Sequence, residues 1–285
     1  MKNERAFFGP GGNSKAFYDA GLKSTVDAPE WVASVGLDAY EYEAGSGLTA
    51  SAGTLLLIGQ KAKDAGIRMS LHAPYFISLS GIEEVKRLGS LRYISQSLNA
   101  AKLLGAYLIV VHTGSAAKIT RGEAMHLASD TLCHLLEEIP DNGVLIGLET
   151  MGKVNQLGTL DEVIELCKLS PRFVPVVDFG HMNARERGLF RNEDDYKLVF
   201  DRISKALGGE FADRLHCHFS KIEYTEKGEK RHLTLEDTVF GPDYEPLMDA
   251  IAHLGVSPTI ISESAGTQSE DAKTMKERYL EALTS

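Results

Sequence analysis

Eight short apolar runs punctuate the chain, at about residues 6–9, 39–42, 68–72, 107–112, 144–149, 173–178, 214–219 and 259–262, with stretches of helical periodicity between them. When strands alternate with helices, each helix carries the chain back before the next strand begins. The strands then pair in parallel and the helices pack outside them. Helices are expected at 29–35, 54–65, 90–104, 122–139, 160–169, 195–207, 245–254 and 270–282, several opened by Ser, Thr or Asp and several closed near Gly. Eight strands in 285 residues predict an α/β fold, a single (β/α)8 TIM barrel occupying 1–285 as one domain. No internal repeat, low-complexity tract or Pro/Gly-rich linker divides it.

An apolar fraction of 43% with 25% charged residues supplies one large core and argues against disorder. No apolar run approaches the ~20 residues that a membrane span requires, and the first residues lack the apolar stretch of a signal peptide. Cys133, Cys167 and Cys217 fall at unrelated spacings, as free thiols in a reducing compartment do. A cytoplasmic monomer without a membrane partner is expected. The net charge of −10 speaks against a broad basic footprint for nucleic acid, but bound divalent cations would offset much of that charge locally.

Position is what makes the polar residues informative. Five apolar runs end on a residue able to bind a metal: His72, His112, Glu149, Asp178 with His181, and Glu263. A sixth, LHCHFS, adds His216 and His218. In an α/β barrel the C-terminal strand ends converge on one mouth, so these residues gather there. Any one such histidine reads better as a hydrogen-bonded core residue. Six, with His232 counted, beside Glu149, Asp178 and Glu263 are different, because so many ionisable groups in a confined mouth are costly unless a cation pairs them. Imidazole and carboxylate together favour Zn2+, with Mn2+ or Fe2+ as alternatives, over calcium or magnesium. The number of ligands implies two or three ions, and a multinuclear site suits phosphoester hydrolysis.

His216 and His218 stand two apart and face the same side of their strand, with Cys217 opposite. One is expected as a metal ligand and the other as a ligand or substrate contact. The segment 221–243 is polar and weakly periodic, and is expected to be a long loop that folds over the mouth and carries His232 to the metals. Lys221, Lys227, Lys230 and Arg231 make it the one positive cluster there, suited to phosphate.

The motifs HAPY at His72, VVHTGS at His112, GLETMGK at Glu149, DFGH at Asp178, HCHFSK at His216, RH at Arg231–His232 and SES at Glu263 resemble the endonuclease IV family of apurinic/apyrimidinic endonucleases, within the xylose-isomerase-like barrels. The resemblance runs through most of the chain. It implies three zinc ions: one held by His72, His112 and Glu149, a second by Glu149, Asp178, His216 and Glu263, and a third by His181 and His232. The family places an aspartate two residues before the last histidine, where this chain has Lys230, so Glu229 or His218 is the available substitute. Tyr75 matches a DNA-contacting tyrosine. The family's arginine-bearing loop after strand two is replaced by YEYEAGSGLTAS, and Ser78 stands where the family has asparagine.

The leading expectation is therefore a zinc-dependent hydrolase that cleaves abasic-site duplex DNA through metal-activated water, with Glu149 and Glu263 as catalytic groups and Tyr75, His218, Lys230 and Arg231 as substrate contacts. A second is a single-metal isomerase or epimerase acting on a small sugar or sugar phosphate, for which Glu149, Asp178, His216 and Glu263 suffice. A third is a non-catalytic barrel that uses metal for stability.

Overall fold

The structure, a computed structural model, describes residues 5–284. Among the described residues ten strands are formed: β1 (Phe7–Pro10), β2 (Ala39–Glu43), β3 (Arg68–His72), β4 (Leu108–His112), β5 (Leu145–Glu149), β6 (Phe173–Asp178), β7 (His216–Phe219), β8 (Ile222–Thr225), β9 (Gly228–His232) and β10 (Thr259–Ser262). Eight of them make one parallel sheet in the order β1-β10-β7-β6-β5-β4-β3-β2, while β8 and β9 pair separately as an antiparallel hairpin. The sheet closes where Gly11 bridges Glu41 and the Gly12 N–H donates to the Glu41 carbonyl at 3.0 Å. The result is the (β/α)8 TIM barrel expected from the alternation.

Strand periodicity decides what faces the barrel axis. Ile109, Val111, Ile146, Leu148, Val177, Cys217 and Ile260 point outward and join the large core under the helices. Leu108, Val110 and Val176 point inward and fill the lower barrel beside Leu145 and Val174. The inward series continues upward to His112, Glu149 and Asp178. An apolar plug below and ionisable groups above thus come from one parity on each strand.

The helices follow the expected local signals. Thr120, Thr159 and Asn192 each form a reciprocal capping box with Glu123, Glu162 and Asp195, and the left-handed Gly66, Gly105 and Gly255 end three others. The helix expected at 90–104 starts earlier, at Glu84. A helix at Phe179–Glu186 lies outside the expected set; it begins directly after β6 because the His181 N–H donates to Asp178 Oδ1 at 2.6 Å. The segment 221–243 is also more ordered than a loop, since β8 and β9 occupy its first half. Both faces of a two-stranded ribbon stay partly wet, so it carries no apolar alternation to reveal it. Among the described residues no helix is long and apolar enough to cross a membrane.

Barrel closure depends on Gly9. A Cβ at this position would stand 1.7 Å from the Ala39 carbonyl oxygen of β2, a clash with backbone that no side-chain rotation relieves. Gly9→Ala is expected to cost about 3 kcal/mol or more, read as a lower urea midpoint; an unchanged midpoint would mean that the β1–β2 seam is not close-packed.

Candidate metal centre

Glu149 ends β5 with no solvent exposure, and imidazoles from four other elements surround its carboxylate. His112 Nε2 lies 3.2 Å and His72 Nε2 3.6 Å from Oε2, while His218 Nδ1 lies 3.1 Å and His181 Nδ1 3.4 Å from Oε1. Burial alone would push this carboxyl up, but the close imidazoles of His112, His181, His218 and His72 outweigh it and hold Glu149 well below the usual carboxylate range. The converse holds for His72. Burial disfavours its cation, yet Glu43, Glu149 and Glu41 raise it to about 10. Glu263 is pushed up to about 8 by burial, with His218 opposing and Asp178 and Glu149 reinforcing.

The ligand-type atoms fall into adjoining groups, each within 4.8 Å: His72, His112 and Glu149; Glu149, Asp178, His218 and Glu263; and His181, Glu229 and His232. Glu149 is common to the first two. Two further groupings, Glu41 with His216 and His218, and Glu41 with Glu43 and Glu263, adjoin them.

Divalent ions fit these residues on two observations. Glu149 Oε2 and Asp178 Oδ2 are buried and accept no hydrogen bond, a costly arrangement unless a cation completes it. The imidazoles are also prepared for ligation. His72 Nδ1 lies 2.8 Å from the Ala73 carbonyl and His181 Nδ1 3.0 Å from that of Thr150. A carbonyl only accepts, so the proton sits on Nδ1 and Nε2 keeps its lone pair for a metal.

Three expectations are revised. His218, not His216, joins Glu149, Asp178 and Glu263. Ladder register is the reason: His218 pairs with Asp178 of β6, at the mouth, whereas His216 pairs with Val176 in the apolar layer below. His218 is also fully buried, with no surface exposed to meet a substrate. Nor do Lys230 and Arg231 face the centre; both pair with Glu223, at 2.5 and 2.6 Å.

A β-bulge explains both the displaced lysine and the group that replaces the missing aspartate. Tyr224 pairs with Glu229 and Glu223 with Arg231, which leaves Lys230 as the extra residue. Without the bulge, Glu229 and His232, three apart, would point to opposite faces. With it they share the inner face, and Glu229 Oε2 stands 3.5 Å from His181 Nε2. The hairpin is itself docked: the Glu229 N–H donates to the Gly152 carbonyl at 3.1 Å, and a Cβ on Gly228 would lie 2.2 Å from that same oxygen. His232 Nδ1 lies 2.8 Å from Ser220 Oγ.

The centre opens into a cavity of about 370 Å³ whose wall includes Tyr75, Lys153, Glu43 and Glu263. Tyr75 is 62% exposed at its rim, free to meet a ligand. Sequence reasoning passed over Glu41, which is buried beneath the centre, and Glu43. A signal existed, because AYEYE alternates and places both acids on one strand face.

Comparison with known proteins agrees with the barrel fold. The sequence profile of the xylose isomerase-like TIM barrel family matches residues 29–283. An uncharacterized protein of Methanocaldococcus jannaschii is 31% identical over 209 residues, covering 72% of this chain and 75% of that protein. A probable endonuclease 4 of Mycoplasma genitalium is 30% identical over 190 residues, 64% of this chain and 62% of the relative's length. Among solved structures, a D-tagatose 3-epimerase-like protein superposes with a TM-score of 0.69 at 19% identity over 98% of both chains. Endonuclease IV from Thermus thermophilus gives 0.68 at 18% identity over 98% of this chain and 99% of its own. At such identities the superpositions speak for the fold alone. With the profile match running from the second strand's approach to the last helix, the chain belongs to the xylose isomerase-like TIM barrel family.

Proposed function

We propose that the barrel mouth holds a multinuclear zinc centre and that the protein is a phosphodiesterase acting on duplex DNA at abasic sites. The observation that carries this reading is the sharing of Glu149 between two ligand groups, with a third group around His181 beside them. The endonuclease 4 names among its relatives point the same way. When bound, divalent cations supply Lewis-acid charge to the phosphoryl oxygens and make water nucleophilic at neutral pH. Glu149 holds the first two groups together. Glu263, on the cavity wall, positions the attacking water and accepts its proton. Tyr75 meets the DNA at the rim, and Lys153 offers the cavity wall a cation that Lys230 and Arg231 do not.

Glu149, Asp178, His218 and Glu263 also form the one-metal set of a sugar isomerase or epimerase, and epimerases are among the structural neighbours. That chemistry leaves His72, His112, His181 and His232 without a role. The discriminating experiment incubates zinc-loaded protein with an abasic-site duplex and, in parallel, with a panel of ketoses. Incision of the duplex is expected, reduced about 10²-fold or more in Glu263→Gln. Epimerised ketose with intact duplex would instead establish the second reading.

The metal-free protein should show a distinctive pH dependence. Glu263, raised from 4.5 to about 8, and His72, raised from 6.5 to about 10, keep protons in the folded state that the unfolded chain has already released. Stability therefore falls as pH rises from 7 through 8 and on towards 10. His216 and His232, both lowered from 6.5, are neutral in either state over that range and do not oppose it. Zinc competes with those protons, so its stabilisation grows with pH. The Tm difference between loaded and chelated protein is expected to widen from about pH 7 to about pH 9; a gap that narrows would contradict the ligand assignment.

A further inference from the structure

We infer that Glu41, a residue of β2 outside the ligand groups assigned above, is the positioning residue that orients His218 for metal. Its carboxylate lies fully buried beneath the centre, 2.8 Å from His218 Nε2 through Oε1. The other oxygen accepts from Ser70 Oγ at 2.7 Å and faces His216 Nε2 at 3.0 Å. His216 Nδ1 is in turn 2.6 Å from the Tyr107 hydroxyl, whose ring carries the Arg68 guanidinium 4.0 Å from its centroid. Glu41 is thus fixed from below by neighbours on β3 and β7.

The opposite edge of the His218 ring gives the arrangement its consequence. His218 Nδ1 lies 3.1 Å from Glu149 Oε1 and 3.3 Å from Glu263 Oε1, among the second group of ligands. An imidazole presents one lone pair to a metal only if its other nitrogen keeps the proton, and a carboxylate acceptor enforces that tautomer while raising the basicity of the ligating nitrogen. Glu41 Oε1 and His218 Nε2 face one another as a buried ion pair, neither with a hydrogen-bond partner elsewhere; a metal at Nδ1 would displace the proton that now lies towards Glu149 and leave the Nε2 proton facing Glu41. This also accounts for His216: it occupies the floor as a partner of Glu41, and its replacement acts through Glu41 rather than by removing a ligand.

The inference rests on the proposed metal centre and not on the identity of its substrate. It is tested on chelated, full-length protein by titration with cobalt(II), whose visible spectrum reports ligand geometry. Glu41→Gln keeps the side-chain shape and removes the charge. A loss of affinity of about 10–100-fold in one class of cobalt site, with an altered visible band, is expected. Ser70→Ala frees one oxygen of Glu41 and should give a smaller loss in the same class, which covers the case where Glu41→Gln does not fold. Rescue by Glu41→Asp should be partial, since the charge returns at a shorter reach. Wild-type affinity and spectrum in either folded variant would overturn the positioning role, leaving Glu41 as a structural polar residue. Failure of the wild type to bind cobalt would overturn it together with the metal reading, whereas failure to incise DNA leaves it standing.

Discussion

A carboxylate with no solvent exposure is the constraint from which the rest of the barrel mouth follows. Glu149 cannot remain ionised in the interior without compensation, and the chain surrounds it with His72, His112, His181 and His218 from four different elements. In the metal-free protein His72, His181 and His218, all held towards their protonated form, supply that compensation. Bound divalent ions would do it better, because Glu149 Oε2 and Asp178 Oδ2, which accept no hydrogen bond, would gain a cationic partner. The same set of side chains is therefore a tolerable polar core without metal and a coordination site with it. Under the proposed metal centre, protons and cations would exchange for one another there.

The third group is held by different means. Its His181 comes from the helix that Asp178 caps, but Glu229 and His232 arrive on a hairpin outside the barrel. That hairpin reaches the mouth because Gly228 and Gly152 let two backbones meet, and the loop it meets is itself fixed by Arg185, whose guanidinium donates to the carbonyls of Met151, Lys153, Val154 and Gln156. Strand ends position two of the ligand groups, and a docked, bulged ribbon positions part of the third.

Much of this was legible in the sequence because the barrel repeats one local pattern. Apolar runs ending on His, Asp or Glu identify strand, direction and mouth together, and β3, β6 and β10 match the expected spans residue for residue. What was not legible depends on quantities that no local pattern encodes. His216 and His218 share a strand face, and only their register against Val176 and Asp178 separates a floor residue from a mouth residue. Lys230 aligned with a ligand position by counting, but a bulge brings Glu229 to that place and turns the lysine towards Glu223. Glu41 was readable from the alternation of AYEYE. It was passed over because it lies within its strand rather than at its end.

The proposed multinuclear centre is tested most directly by anomalous diffraction from crystals grown with zinc, recorded on both sides of the zinc edge. Peaks are expected in three places: between His72, His112 and Glu149; among Glu149, Asp178, His218 and Glu263; and between His181, Glu229 and His232. A single peak confined to Glu149, Asp178, His218 and Glu263, with the other histidines bonded only to protein and water, would contradict it.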